Sequence, residues 1–229
     1  RFPNPMEPPT MRHTLAVVLF AATAATASAQ QGMKPDADPD TKARSSGPAP
    51  AGWEFALDRP TAKKEDVAFS AIGKGMHVTS GPAAIFWSAG NVARGPYAIK
   101  ATFTQMKAST HPEAYGLVFG GEKLGTADAT YLYFIVRQGG KFMVKHRANA
   151  KDVQTITDWS ESKAVAKVEG AGKATNALEV RADADSVRLF VNNQQVAAYS
   201  AKVMNETDGI YGIRVNHNLD VHVEGFGRN

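Results

Sequence analysis

The sequence predicts an all-β fold, a two-sheet antiparallel sandwich of jelly-roll type preceded by a disordered leader and linker. Three observations predict it. From Trp53 onward, short runs with two-residue apolar alternation recur, while helical periodicity is scarce. Clusters of Gly, Asn, Asp and Pro, which favour turns, separate these runs. About a dozen such strands fit between Trp53 and Asn229, a density that suits a sandwich. A six-bladed propeller would need a longer chain, and no internal repeat marks a solenoid.

Composition sets the outer bounds. The chain has 229 residues, no cysteine, and 26 Lys+Arg against 22 Asp+Glu for a formal charge of +4. That length holds one domain with tails. With 43% hydrophobic and 21% charged residues, the chain is neither fully disordered nor collagen-like. Lack of cysteine excludes disulfides, thiolate metal sites, cysteine nucleophiles and a lipidated cysteine. A charge of +4 over this length is a weak field and implies no nucleic-acid partner.

The amino terminus reads as a leader. Arg1 to Thr10 holds four prolines and no periodic pattern, so these residues are expected to lie upstream of a start at Met11. Arg12 and His13 form a short basic head, Leu15 to Ala22 an apolar run, and Ala27-Ser28-Ala29 the small residues a signal peptidase reads. Residues 1–29 are therefore expected to comprise upstream residues plus a signal peptide, with cleavage between Ala29 and Gln30. The apolar run is too short and alanine-rich to span a membrane, and no later stretch approaches eighteen apolar residues. The mature protein is expected to be exported, periplasmic or extracellular, without a membrane span. Cleavage would remove Arg1, Arg12 and Glu7, leaving 24 basic against 21 acidic side chains, or +3. Residues 30–52, rich in Pro, Ala, Asp, Ser and Gly, have little to bury and read as a flexible linker. The sandwich domain is placed at 53–229.

The candidate strands are Glu54–Leu57, Met76–Thr79, Ala84–Trp87, Tyr97–Gln105, Ala114–Phe119, Tyr131–Arg137 and Phe142–Arg147, then Thr155–Trp159, Ala177–Ala182, Ser186–Asn192, Gln195–Tyr199, Gly209–Val215 and Leu219–Phe226. One hairpin can be registered. A two-glycine loop between Tyr131–Arg137 and Lys141–Arg147 would mix Phe134 and Lys145 on one face. A three-residue loop, Gln138-Gly139-Gly140, instead pairs Arg137 with Lys141 and sorts the faces. Leu132, Phe134 and Val136 then share a face with Phe142, Val144 and His146. Tyr131, Tyr133, Ile135 and Arg137 share the other with Lys141, Met143, Lys145 and Arg147. A one-residue slip would undo this sorting, so the second register is favoured. The aromatic and basic face suits a concave surface touching a polar ligand; a solvated outer face is the competing reading. Further on, Asn192-Asn193 is a tight turn, and Leu219 to Glu224 alternates as a strand with one buried face.

Three stretches carry a family resemblance: YLYFIVRQGGKFMVKHR, NALEVRADADSVRLFVNNQQV and GIYGIRVNHNLDVHVEGF. They cover roughly the second half of the domain. Together they resemble the concanavalin A-like lectin/glucanase superfamily. More narrowly they are similar to the laminin-G-like domains of bacterial 3-keto-disaccharide hydrolases and their exported relatives. The resemblance implies a jelly roll, a carbohydrate or glycan partner, and calcium as a common ligand of the superfamily. Glucanases of this superfamily carry a Glu-x-Asp-x-x-Glu strand motif, which this sequence lacks. Its nearest relation, Asp220-Val-His222-Val-Glu224, spreads two carboxylates over about 13 Å of strand, too far for either glycosidase spacing.

The candidate chemistry is scattered. His111-Pro-Glu113 sets an imidazole and a carboxylate two apart beside a rigid proline, and makes His111 and Glu113 the tentative catalytic pair; holding loop amides is the alternative. Tyr115, in the strand that follows, is a further candidate contact. Trp87 and Trp159 at strand ends could stack on a sugar ring or belong to the core. Tyr131, Tyr133, Arg137, Lys145 and Arg147 form the polar face of the hairpin. Arg214, Asn216 and His217 cluster at a strand connection, where they could bind hydroxyls or order the turn. No metal-ligand spacing, Gly-x-Ser-x-Gly elbow, P-loop or dinucleotide fingerprint occurs, so no cofactor or metal is expected. Two functions follow: an exported module that binds carbohydrate without catalysis, or a glycoside hydrolase or lyase of the 3-keto-disaccharide type. The partner in either case is a carbohydrate or glycan, with no nucleic acid and no membrane span, and the oligomeric state is left open.

Overall fold

The computed structural model describes residues 38–43, 47–204 and 206–229. The expected leader at 1–29, and residues 30–37 and 44–46 of the linker, lie outside the described residues. Fourteen strands appear among the described residues: β1 Trp53–Leu57, β2 Val67–Ile72, β3 Gly75–Ser80, β4 Ala84–Ala93, β5 Tyr97–Gln105, β6 Ala114–Glu122 and β7 Thr130–Arg137, then β8 Lys141–Arg147, β9 Val153–Glu161, β10 Ala174–Ala182, β11 Ser186–Val191, β12 Gln194–Ser200, β13 Gly209–Val215 and β14 Leu219–Arg228. A one-turn helix, Ala201–Met204, sits between β12 and β13.

Two seven-stranded antiparallel sheets form the sandwich. The first has the order β1-β4-β13-β6-β7-β8-β9, the second β12-β11-β10-β5-β14-β3-β2. The strands of the second sheet alternate as the sequence does. In β5, for example, Tyr97, Ile99, Ala101 and Phe103 are buried while Lys100 is exposed. The inward rows of both sheets merge into one core that includes Phe69, Phe86, Phe103, Phe119, Phe134, Leu178, Leu189 and Ile213. Asn176 satisfies its amide inside this core. It accepts from the Ala166 amide at 2.8 Å and donates to the Tyr115 hydroxyl at 3.0 Å.

The β7–β8 hairpin has the three-residue loop, with Gly140 at φ +79° and Arg137 opposite Lys141. Tyr131, Tyr133, Ile135 and Arg137 oppose Arg147, Lys145, Met143 and Lys141, so both faces are sorted as expected. Asn192 and Asn193 both take positive φ, +50° and +65°, in the two-residue turn between β11 and β12. Two readings need correction. Strand β2 was not among the candidates, because Ala68, Phe69 and Ser70 are buried in succession and show no alternation. Strand β4 runs past Trp87 to Ala93, through a Gly-Asn pair that reads as a turn in sequence.

Residues 38–43, assigned by composition to the linker, are held against the sandwich. The Thr41 amide and hydroxyl both donate to Asn218 Oδ1, at 2.8 and 2.9 Å, and Asn218 Nδ2 donates to the Pro39 carbonyl at 3.1 Å. Gly81 permits this approach, since a Cβ there would collide with the Thr41 carbonyl oxygen.

Candidate functional site

The two sheets differ on their outer faces. Strands β6 and β7 are buried on both sides, which their unbroken runs YGLVF and YLYFIV foreshadow. A second apolar cluster lies on the outer face of the first sheet: Ile85, Trp87, Val118, Ala129, Tyr131, Tyr133, Ile135 and Met143. The hairpin's aromatic face is therefore packed rather than solvated, with Tyr131 2% and Tyr133 7% exposed.

Curvature makes this face concave. Asp58 follows β1 and Arg147 ends β8, five strand steps apart in the sheet order. A flat sheet would separate them by about 24 Å. Their side chains are instead 3.7 Å apart, between Arg147 Nη2 and Asp58 Oδ1. Strand twist has curled two corners of the sheet over its outer face.

Between the corners lies an open cleft. Its walls are the end of β1 with Asp58, and the loop Leu124–Ala127. Ile85, Trp87 and Tyr131 line it, and Arg147 stands at its margin. The larger, outer part encloses about 560 Å³. Gly125, at φ +83°, lets the loop settle on Trp87, whose ring edge is 3.3 Å from where a Cβ would stand. The Ala150 amide donates to the Ala127 carbonyl at 3.0 Å and ties this loop to the next turn.

Arg214 organises the site from beneath. Both of its Nη atoms donate to the Asp58 carboxylate, one of them at 3.0 Å, and Nε donates to Asn216 Oδ1 at 2.9 Å. Its guanidinium lies 4.8 Å from the centre of the Tyr133 ring, and that of Arg147 lies 5.7 Å from the Tyr131 ring. Burial raises the Asp58 carboxyl, but the charge and hydrogen bonds of Arg214, with Arg147 and Arg59 behind, outweigh it and hold Asp58 below the usual carboxylate value. Burial alone would lower Arg214; the Asp58 charge and hydrogen bonds reverse this and raise it. Burial raises both Tyr131 and Tyr133. The site at neutral pH thus holds a fixed ion pair and two neutral phenols.

The tentative catalytic pair lies beyond Asn216, outside the lining of the cleft. Burial raises the Glu113 carboxyl, opposed by His217, by a hydrogen bond from Asn216 and by His111. His217 Nδ1 is 3.9 Å from Glu113, and its Nε2 is 3.0 Å from Asp40, which also pairs with Arg59 at 3.0 Å. His111 is half exposed and lies 3.9 Å from Asp38. The 38–40 segment therefore caps these histidines with carboxylates.

The structure thus joins Tyr131, Tyr133, Arg147 and Arg214 on one concave face with Trp87, and links Arg214 through Asn216 to Glu113 and His217. Other candidates fall elsewhere. Tyr115 is a correction: it is fully buried between the sheets, held by Asn176, with its phenol pushed up to about 12 by burial. Arg137 stacks on Trp159 at 4.1 Å, near the β9 edge. Lys145, on β8, lies opposite Tyr133 of β7 and Thr155 of β9, toward the same edge. Asp220 and Glu224 lie on the second sheet, paired with His77 at 3.0 Å and His222 at 3.4 Å. Sequence reasoning missed Asp58, whose setting in Leu-Asp-Arg-Pro gives no motif.

No protein-family model and no curated protein matches the chain. Solved structures do. The carbohydrate-binding module CBM66 of Bacillus subtilis superposes with a TM-score of 0.56 at 12% identity, over 78% of this chain and 95% of that one. A Bacillus subtilis protein of unknown function with a galectin-like fold superposes at 0.51 and 12% identity, over 77% and 88%. The fold is a two-sheet antiparallel jelly roll, shared with these two structures. At such identity the likeness is one of fold alone. The narrower likeness to 3-keto-disaccharide hydrolases has no counterpart in these two structures. Within this jelly roll the cleft occupies the outer face of one sheet, and the second sheet keeps an ordinary polar exterior. Among the described residues no helix is long and apolar enough to cross a membrane.

Proposed function

We propose that the chain is an exported carbohydrate-binding module that holds a glycan in the cleft between Asp58 and the Leu124–Ala127 loop, without cleaving it. The observation that carries this reading is the cleft itself. It sets a charged acceptor, Asp58, and a charged donor, Arg147, above a floor of closely packed Ile85, Trp87 and Tyr131, with the Leu124–Ala127 loop as the opposite wall. Sugars present C–H patches and hydroxyl pairs that such a surface matches. Asp58 is suited to accept hydroxyls and unsuited to donate a proton, because Arg214 holds it ionised. The fold shared with a carbohydrate-binding module supports the same reading. The leader at 11–29 supports delivery to the periplasm or the outside of the cell.

The test is a broad glycan array probed with the wild-type domain and with Ala127→Trp, which fills the cleft from its exposed loop wall without touching the packed floor. Wild type should bind a defined subset of glycans, and the variant should bind them at least tenfold more weakly at an unchanged fold. Undiminished binding by Ala127→Trp would remove the assigned surface.

One observation favours a second reading, hydrolysis of 3-keto-disaccharides. Glu113 is a carboxyl with raised proton affinity next to His217, as an acid catalyst needs. On that reading the purified protein releases keto sugar from a 3-keto-disaccharide and Glu113→Gln abolishes the release. No turnover across a panel of such sugars would eliminate it.

A further inference from the structure

We infer that the cleft selects an acidic sugar, a hexuronate whose carboxylate binds Arg147. The inference rests on the carbohydrate-binding reading and names the ligand class of the same site.

Arg147 carries it. Its side chain is only 14% exposed, yet its Nε is buried without a hydrogen-bond partner among the described residues. The carboxylate nearest to it, Asp58, stands 3.7 Å from Nη2, beyond hydrogen-bond range, and both Asp58 oxygens already receive the Nη atoms of Arg214. A guanidinium fork left unpaired at a partly buried site is costly, and a ligand that pairs it recovers that cost on binding. The Nη edge of the guanidinium matches the two coplanar oxygens of a carboxylate, while the buried Nε stays out of a ligand's reach.

The other charges at the cleft leave room for an anion. Glu54, Asp58, Arg59, Lys64 and Arg147 line it. Asp58 is neutralised by Arg214 from below, and Lys64 lies 5.5 Å over the Phe55 ring with no ion pair among the described residues. Glu54 is the opposing charge, and it sits toward Trp87, opposite it across β1 and β4. Around Arg147, Asp58 is the one carboxylate in the lining and is already paired with Arg214, while Tyr131, Ala129, Gly125 and Thr126 bring no negative charge. A uronate would place its carboxylate on Arg147 and donate a hydroxyl to Asp58.

The experiment is affinity measurement on the full domain with three ligand sets. These are linear uronate oligomers, the same oligomers after carboxyl reduction to neutral sugars, and sulfated oligomers, with a broad array as background. Uronate oligomers should bind at least tenfold more tightly than their reduced counterparts. Arg147→Gln should erase that difference in a domain that remains folded, with Arg214 still paired to Asp58. Arg147→Lys, which keeps the charge but loses the fork, should recover only part of it. Equal binding of reduced and native oligomers, or binding of sulfated oligomers alone, would overturn the inference and leave the carbohydrate reading standing. No binding to any glycan on the array would overturn both.

Discussion

Arg214→Met should unfold the domain more easily than a change at an exposed arginine would. Its side chain is 7% exposed and carries the Asp58 pair, the Asn216 hydrogen bond and the Tyr133 ring contact together. Removing one member of a buried ion pair typically costs about 3–5 kcal/mol, because the other charge stays behind unpaired. Asp58 is 23% exposed and keeps Arg147 at 3.7 Å, so the lower end applies. The expected loss is about 3 kcal/mol, or roughly 6–12 °C in Tm for a domain of this size. The cost depends on pH with a definite sign. Asp58 is depressed in the folded state, so its contribution is present above the unfolded pKa of about 3.9 and is lost as pH falls through the folded value. Urea unfolding at pH 7 and pH 3 should therefore show a wide gap between wild type and variant at neutral pH, and a narrower one in acid. Equal stability at pH 7 would mean that the pair is only a surface contact.

Phe86→Ala should cost more still. Phe86 is fully buried on β4 of the first sheet, with the Phe69 ring of the second sheet 4.8 Å away and the Phe55 ring stacked at 5.6 Å. It joins the sheets, and its neighbours Ile85 and Trp87 form the floor of the cleft on the opposite face. Truncation leaves a cavity that sheets on both sides cannot readily close, at about 3–5 kcal/mol. The Tm should fall by on the order of 10 °C or more, with glycan affinity falling alongside because the floor loses its support. Phe86→Leu keeps most of the volume and should cost less than half as much. A variant Phe86→Ala with near wild-type melting would show that the two sheets are held elsewhere.

Much of this architecture was legible in the residues. The β7–β8 register followed from one requirement, that the row Leu132, Phe134 and Val136 face apolar partners rather than lysine and arginine, and all seven pairs fall in that register. Where burial is continuous, that logic weakens: Val67–Ile72 buries adjacent residues and gave no alternation to read. The site was half legible. Tyr131, Tyr133, Arg147 and Arg214 carry their chemistry in the sequence, but their meeting depends on sheet curvature, which no local pattern records. Asp58 was hidden because its partner Arg214 is 156 residues away. Tyr115 misled because one residue's parity decides whether a tyrosine faces the core or the cleft. Residues 38–43 looked unable to bury anything, and they bind through backbone groups and carboxylates, which composition cannot weigh.

The most direct test of the central claim is an amide-resolved NMR titration of the domain with the glycan that binds it best. The cleft predicts that shifts concentrate at Leu57–Arg59, Leu124–Ala129, Tyr131 and Arg147, with the second sheet silent. Shifts centred on His77 and His222, on the outer face of the second sheet, would contradict it.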